Sequence, residues 1–447
     1  MRKKWEPQIP LMPAEIDHPQ AKELMVISRI IYSKPTICEW VLQDLGNHRS
    51  MDTRSGANGM SADQVLRAAI VKVLFGFSYK ELAFHMVDSM SIRLFCQVGI
   101  ADKGFKKSAL NKNIKAISES TWHGIHKELI GYAKQHKIEK GREVRIDCTV
   151  VESNIHHPSD STLLWDVVRV LTRLLYCARN LCPGLAFQDH TRRAKKRMLA
   201  IQYAKNEKER KPRYKDLIKV SKKSLGYARK AMEHLDQSAS PSAMGLSLSL
   251  EAFTGLTEKV IDQAQRRVLM GQKVPAAEKI VSLFEPHTDV IVKDRRDTYY
   301  GHKICLTGGS SNLILDCLIV SGNPADTSLT ESMLDRQNDL YGRYPLKAAL
   351  DGGFASKTNL AKAKSKQIKD VCFAKKRGLA ETDMCRSHYV YKRLRRFRAG
   401  IEAGISWLKR SFGLNRCTWK GWRSFKSYVW ATVISANLLT IARKQLA

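Results

Sequence analysis

The alternation of hydrophobic and polar positions divides the chain into helical and strand-like parts. In the first third of the chain, apolar positions recur every three or four residues, as from Val65 to Leu74, which predicts helices. A Gly76–Phe77 turn is followed by Ser78–Glu81, which has the pattern of a capping box and begins another helix. Two helices joined by a short glycine-containing turn are typical of a helix-turn-helix, and a plain helical hairpin has the same pattern. The helices predicted in this region span about residues 27–45, 61–74, 78–86 and 108–135.

The period shortens to that of a strand at Glu143. Residues 143–151 are rich in β-branched side chains and predict a strand with Asp147 inside it. Asp is depleted in strands, so Asp147 either faces solvent at a sheet edge or has a chemical role such as binding a metal. Strand patterns return after Pro286 and alternate with helical ones. The later strands are predicted at about residues 289–292, 303–307, 313–320, 347–350 and 370–374.

A second carboxylate follows one of these buried strands. Asp351 ends the strand that begins at Lys347 and precedes Gly352 and Gly353. It is either the N-cap of the following turn or a site residue at the carboxyl edge of a sheet, where open α/β sheets bind their ligands.

Helical spacing predicts an amphipathic helix over about residues 391–412. Glu402 lies beside its apolar stripe, with Arg398 four residues before it and Lys409 seven residues after it. Residues 386–426 contain twelve Lys or Arg, and Glu402 is their single acid. This pattern suits a metal-binding carboxylate flanked by cations that hold phosphates, and it also fits a solvated helix face with weak ion pairs. The apolar stripe consists of Ile401, Ile405, Leu408 and Phe412.

A long basic segment separates the first strand from the later ones. An apolar helical pattern runs from Leu163 to Leu175, and residues 192–230 contain sixteen Lys or Arg against three acids. Like charges at this density repel one another unless a polyanion lies against them, which favours a track for a phosphate backbone over a solvated helical hairpin. We therefore expect an insertion of basic helices into the sheet domain.

The net charge narrows the classes of function. The 447 residues carry 76 basic and 43 acidic side chains, a net charge of +33, which predicts a polyanionic partner such as DNA.

The longest apolar run, residues 428–442, is short for a membrane span and predicts a buried core helix, so no membrane partner is expected. The first residues show no apolar signal region, which favours a cytosolic protein. Ten cysteines without a Cys-x2-Cys pair argue against structural zinc.

The elements follow a β-β-β-α-β-α-β-α order that is interrupted after the first strand, which is the order of the RNase H-like fold. Over residues 60–440 the chain resembles bacterial insertion-sequence transposases of the Asp-Asp-Glu (DDE) class. Residues 61–99 are similar to the N-terminal domain of these enzymes, and residues 147–154 are similar to their first-Asp segment.

The third acid lies in a recognisable signature. Several families of this class carry Tyr-x2-Arg-x3-Glu-x6-Lys around the Glu, and Arg398-x3-Glu402-x6-Lys409 matches three of the four positions. The Tyr position is Arg395 in this chain, and Tyr391 lies one turn earlier.

The resemblance implies a mixed α+β and α/β fold. Its core would be an RNase H-like mixed sheet flanked by helices, with an N-terminal helical domain before it and a large helical insertion after its first strand. The predicted divisions are residues 1–140 for an N-terminal DNA-binding or dimerisation region, 141–155 for the first core strand, 156–285 for the basic insertion and 286–447 for the rest of the catalytic core.

The resemblance also implies a DNA transposase that cleaves at transposon ends and joins the 3′-hydroxyls to target DNA. Asp147, Asp351 and Glu402 would be the catalytic and metal-binding residues. They would hold two Mg²⁺ ions, which Mn²⁺ could replace, because Mg²⁺ prefers hard carboxylate oxygens. The residues expected to bind DNA are Arg395, Arg396, Arg398 and Lys409.

The expected partner is double-stranded DNA, both transposon ends and target, bound by a homodimer or a larger assembly at the nucleoid of a bacterial cytoplasm. Two alternatives share the basic charge. One is an RNase H-like nuclease without strand transfer, and the other is a non-catalytic DNA-binding protein.

Several other acids compete for the catalytic roles. Asp316 lies on a strand and is the strongest rival of Asp147. Asp160 lies in a Pro-Ser-Asp-Ser turn and is expected to cap a helix. Asp294 and Asp297 lie among Lys and Arg, where ion pairing would explain them. The remaining acidic rivals are Glu152 and Asp166.

Histidine and tryptophan side chains offer weaker candidates. His156 and His157 lack a third ligand, so a surface loop is expected. Trp407 is expected to pack in the core, whereas Trp419 and Trp422 either stack on a nucleobase or pack.

Overall fold

The computed structural model describes residues 16–47, 59–99, 101–238, 240–293 and 297–447. Helices form most of this part of the chain, and six strands form one mixed sheet among them. The helices are α1 (Pro19–Tyr32), α2 (Thr36–Asn47), α3 (Ala62–Leu74), α4 (Tyr79–Asp88), α5 (Met90–Phe95), α6 (Lys107–Ala116), α7 (Glu119–Gln135), α8 (Asp160–Leu181), α9 (Thr191–Gln202), α10 (Glu207–Asp236), α11 (Pro241–Ala264), α12 (Thr330–Tyr341), α13 (Lys357–Ser365), α14 (Glu381–Met384), α15 (His388–Ser411) and α16 (Trp422–Leu446).

The sheet has the strand order β2-β3-β1-β5-β6, and β4 pairs with β3. β1 runs antiparallel to β3 and parallel to β5, which in turn runs parallel to β6. The pairing of β1 with β5 ends at Ile146 and Leu350, so Asp147 is the first residue of β1 beyond its parallel neighbour. The strands are β1 (Glu143–Glu152), β2 (Asp289–Lys293), β3 (Asp297–Gly309), β4 (Ile314–Ile319), β5 (Lys347–Leu350) and β6 (Asp370–Phe373).

This mixed sheet with flanking helices confirms the predicted RNase H-like fold class. The chain leaves the sheet after β1 and returns at β2, and α8 to α11 lie between them, as the basic insertion predicts. The insertion has its own apolar core, in which α8, α10 and α11 pack together. Asp216 on α10 forms ion pairs with Arg193 and Arg197 and so joins α9 to α10.

The N-terminal helices share a second apolar core with the sheet. α16 lies between them, because it contacts α1, α3 and α7 on one side and β4 on the other. Its buried residues include most of the apolar run at 428–442, which is therefore a core helix as predicted. No helix in the described ranges is both long and apolar enough to cross a bilayer.

Two predicted helices are each broken into two. The helix predicted at residues 27–45 is interrupted before Thr36, because Pro35 lacks the N–H that a continuous helix requires. The helix predicted at residues 108–135 is interrupted at Ser118, whose hydroxyl accepts from the Thr121 N–H and begins α7. α15 begins at His388, three residues before the predicted start, with Ser387 as its N-cap.

Candidate active site

Asp147 lies on β1 at the point where its parallel neighbour ends. β5 no longer covers this edge of β1, and the carboxylate of Asp147 accepts a hydrogen bond from the Cys148 N–H at 2.7 Å. Its side chain is half-buried, with 16% of its surface exposed. The Asp inside the predicted strand therefore lies in the sheet centre, not at an outer edge of the sheet.

Asp351 follows β5 directly and lies beside Asp147 for a topological reason. The carboxyl ends of parallel strands meet at the same edge of a sheet, and the Asp351 N–H donates to the Ile146 carbonyl at 3.3 Å. Asp351 also begins a short 3₁₀ turn, Gly352–Phe354, but its side chain makes no capping hydrogen bond. The carboxylate is therefore available to other elements.

The Arg398 guanidinium lies among the three predicted carboxylates. Its Nη1 donates to Asp351 Oδ1 at 2.7 Å and lies 3.9 Å from Asp147 Oδ2, and its Nη2 donates to Glu402 Oε1 at 2.6 Å. Burial tends to lower the pKa of Arg398, but the Glu402 hydrogen bond and the charges of the three acids raise it above its ordinary value. Three acids that are far apart in the sequence thus converge on one cation.

A cleft of about 580 Å³ opens beside Asp147 and Glu402. Lys409 and Arg410 lie on its basic side, and Asp351 is not part of its lining. Glu402 is the most exposed of the three carboxylates, with 55% of its side-chain surface exposed, against 38% for Asp351. The site is therefore open to a large anionic ligand on the Glu402 side.

The other predicted DNA-binding residues lie on the same helix. Arg395 and Arg396 are exposed, and within the described ranges neither forms an ion pair with an acid. Tyr391, the alternative to the signature Tyr, is buried instead, and its hydroxyl donates to the Phe373 carbonyl at 3.3 Å. Its side chain therefore supports β6 and is not aimed at the acids.

The acidic rivals are largely accounted for by their partners. Asp316 is buried and forms a two-pronged ion pair with Arg336 at 2.5 and 2.6 Å. Asp160 does not cap α8 as predicted; Ser159 does, through a capping box with Thr162, and Asp160 pairs with Arg267. Asp166 pairs with Arg169, Glu152 lies at the end of β1, Asp297 begins β3, and Asp294 lies outside the described residues.

The histidine and tryptophan candidates also have structural explanations. His156 and His157 lie in the predicted surface loop after β1. Trp407 packs edge-on against Phe412 at 4.7 Å, as predicted. Trp419 is buried, and Trp422 lies 4.4 Å from the His302 ring, so both pack against protein.

The residues fit a divalent metal in their chemistry. Three carboxylates from three different elements offer the hard oxygen ligands that Mg²⁺ prefers. Among the described residues, however, no three His, Cys, Asp or Glu side chains lie close enough together to hold one ion. In this conformation Arg398 provides the positive charge between the carboxylates, and a metal ion requires the guanidinium to move aside.

Sequence reasoning missed Arg145, which is two residues before Asp147 on the same face of β1. Its guanidinium is buried beneath α15 and donates to the Phe397 carbonyl at 3.0 Å. A charged residue between Val144 and Ile146 in a strand pattern was a detectable signal, but its partner lies 252 residues later in the chain.

Comparison with known proteins bears on the later part of the chain. Residues 287–438 match the family model described as the transposase DDE domain. This segment includes Asp351, Arg398 and Glu402, and it begins after the insertion, so that Asp147 lies outside it. No curated protein and no solved structure matches the chain.

Proposed function

We propose, from the premise that residues 287–438 belong to the transposase DDE domain family, that the chain cleaves DNA at transposon ends and joins the freed 3′-hydroxyls to target DNA. The observation that carries this proposal is the convergence of Asp147, Asp351 and Glu402 on the Arg398 guanidinium. A helix surface with weak ion pairs would involve Arg398 and Glu402 alone, whereas here Asp147 within β1 and Asp351 at the end of β5 join them.

Asp147, Asp351 and Glu402 are proposed as the residues that would hold divalent metal, two Mg²⁺ ions, in the active protein. When bound, such ions activate the attacking oxygen and stabilise the leaving oxygen of a phosphodiester. The protein itself contributes by holding the three carboxylates in fixed places. Asp147 lies on β1, Asp351 directly follows the parallel strand β5, and Glu402 lies on α15, so each ligand lies on a regular element or at the end of one.

The cations of α15 are proposed to hold the DNA backbone beside the acids. Arg395 and Arg396 are exposed, and Lys409 lies in the cleft that also contains Asp147 and Glu402. Arg398 would join them once its guanidinium leaves the carboxylates, because its planar fork fits phosphate as well as carboxylate.

The insertion is proposed as a second contact with the phosphate backbone. Three lysines on α10, Lys215, Lys219 and Lys222, lie on one exposed helix face. Within the described ranges none of them pairs with an acid, whereas Arg193 and Arg197 nearby are both occupied by Asp216. When such unpaired lysines neutralise DNA phosphates, the counterions condensed on the DNA are released, which favours binding.

The decisive experiment uses the purified protein with duplex DNA taken from the ends of the element that encodes it. Mg²⁺-dependent cleavage, followed by joining of pre-cut 3′-hydroxyl ends to a plasmid, is the expected result. Cleavage without joining would identify a nuclease and overturn the strand-transfer part of the proposal. Salt-sensitive binding without any metal-dependent cleavage would identify a DNA-binding protein and overturn the enzymatic part.

A further inference from the structure

The geometry points to Arg145 as a positioning residue that sets the location of α15, and with it Arg398 and Glu402, relative to Asp147 on β1. Its consequence for catalysis rests on the proposed function, but the contact itself can be tested without DNA.

Arg145 joins three elements that surround the site. From β1, its Nη1 donates to the Phe397 carbonyl on α15 at 3.0 Å, and its Nη2 donates to the Asn312 side-chain oxygen in the β3–β4 turn at 2.6 Å. The guanidinium also lies over the Phe397 ring, 4.8 Å from its centroid. These contacts are directional, so they define a register between α15 and β1 that apolar packing alone leaves less specified.

The buried charge of Arg145 has no acidic partner that would explain it otherwise. Only 6% of the residue is exposed, and within the described ranges it forms no ion pair. Burial lowers the pKa of Arg145, and the charge of Glu139 opposes this only in part. Since an apolar residue at this position would avoid the desolvation of a charge, stability alone does not account for arginine here.

Gly400 shows how closely the guanidinium approaches the helix. A Cβ atom added at Gly400 would lie 1.7 Å from Arg145 Nη1, so the arginine lies directly against the backbone of α15. Gly404, one turn later on the same helix, would meet nothing within 4 Å. Glycine within a helix is unfavourable by about 1 kcal/mol relative to alanine, and the space that Arg145 requires explains Gly400 but not Gly404.

The position of this contact links it to the acids. Arg145 and Asp147 lie two residues apart on one face of β1. Phe397 directly precedes Arg398, and Gly400 lies two residues before Glu402. Any slide or rotation of α15 at this point therefore moves Glu402 and Arg398 relative to Asp147, without changing any group that touches DNA or metal.

The test compares two glycine substitutions on the same helix. We expect Gly400→Ala to lower the single-turnover rate of DNA cleavage by roughly 10- to 100-fold, the size of effect that follows a displacement of about 1 Å in an active site. The dissociation constant for DNA should stay within about twofold, because the binding cations are unchanged. Gly404→Ala is the matched control and should leave both the rate and the affinity unchanged.

Removal of the arginine supplies the second arm. Arg145→Ala should lower the cleavage rate on its own, and Gly400→Ala added to it should have little further effect, because the clash is gone. The same non-additivity should appear in thermal unfolding without DNA, where Gly400→Ala destabilises the wild type but not the Arg145→Ala protein.

Three results would overturn the inference. Additive effects in thermal unfolding would show that Arg145 and Gly400 are not in contact. Equal cleavage rates and equal unfolding temperatures for Gly400→Ala and Gly404→Ala would also show that Arg145 does not contact Gly400. If the effects of the two substitutions on thermal unfolding are non-additive but the cleavage rate of Gly400→Ala is unchanged, the contact is structural and Arg145 does not position the active site. If the wild type cleaves no DNA at all, the proposed function fails, and the unfolding cycle still decides the contact.

Discussion

Arg398 on α15 donates a hydrogen bond of 2.7 Å to Asp351 at the end of β5, a residue 47 positions earlier in the chain. The same guanidinium contacts Glu402 on its own helix and Asp147 on β1. The three acids are therefore held around one guanidinium, which offsets their repulsion. Under the proposed function, a metal ion would have to displace Arg398 and draw the acids closer together, because in this conformation no three of the described carboxylates lie close enough to hold one ion.

The first prediction concerns the three acids. Asp147→Asn, Asp351→Asn and Glu402→Gln each remove one charged ligand while the shape of the side chain is kept. If each holds a metal, every variant should lose about 10³-fold or more in Mg²⁺-dependent cleavage, since stabilisation of transition-state charge by a metal is worth several kcal/mol. Initial rates of cleavage on transposon-end DNA provide the measurement.

The control for this series is Asp383→Asn, which changes an exposed acid on the short helix α14. It should cleave at the wild-type rate. Activity that survives in any of the three site variants would remove that residue from the proposed metal ligands.

The second prediction concerns Arg398 as the internal cation. In Arg398→Gln the carboxylates lose this cation, so the protein in EDTA should unfold more readily, by about 1 kcal/mol for such partly exposed ion pairs. Added Mg²⁺ or Mn²⁺ should stabilise the variant more than the wild type, because the ion no longer competes with a guanidinium. Thermal unfolding with and without metal measures both effects, and an equal response of the two proteins would contradict competition at this site.

Local sequence pattern singled out the carboxylates and the cation that the structure brings together. Asp147 and Asp351 could be located because each ends or interrupts a run of buried strand residues, and Arg398 and Glu402 could be joined because they are four residues apart on a helix. The strand pattern marks Arg145 as an unusual charge, but its contacts could not be predicted, because its partners are a backbone carbonyl on α15 and the side chain of Asn312 in a distant turn.

Other differences have equally physical origins. Asp316 is a reasonable rival to Asp147 in the sequence, but Arg336, twenty residues later on α12, holds it in an ion pair. The breaks before Thr36 and at Ser118 interrupt long apolar patterns whose period continues across them, so only Pro35 and a capping serine marked the helix ends. The role of Arg398 between the acids depends on tertiary contacts that helical spacing does not contain.

The third prediction concerns the insertion. Replacement of Lys215, Lys219 and Lys222 by Gln should weaken DNA binding similarly for all sequences, and the slope of log K against log salt should fall by about 1 for each phosphate that is no longer neutralised by a lysine. Binding titrations at several salt concentrations measure the slope. Arg229→Gln is the matched control, since Arg229 on the same helix is already paired with Glu258, and it should change the slope least. Equal slopes for the triple variant and the wild type would rule out this track.

The fourth prediction assigns Asp316 to the fold. Asp316 is buried and its partner Arg336 is partly buried, so Asp316→Ala leaves an arginine without its partner, which should lower the free energy of unfolding by roughly 2 kcal/mol. Denaturant unfolding measures this, and Arg336→Leu in the same protein should recover part of the loss. If Asp316→Ala instead abolishes cleavage without a change in stability, Asp316 belongs to the active site.

The last prediction follows from His126, which is fully buried on α7 beside Trp430. Its Nε2 donates to the Ile314 carbonyl at 3.0 Å, and burial lowers its pKa to about 4. In the unfolded chain this pKa is about 6.5, so the unfolded state binds a proton first as the pH falls, and stability is lost between about pH 6.5 and pH 4. From pH 7 to pH 5 the wild type should lose about 2 kcal/mol more than His126→Gln, which can still donate to the carbonyl but does not titrate. Denaturant unfolding at the two pH values gives this difference directly, and equal losses in both proteins would mean that folding does not lower the pKa of His126.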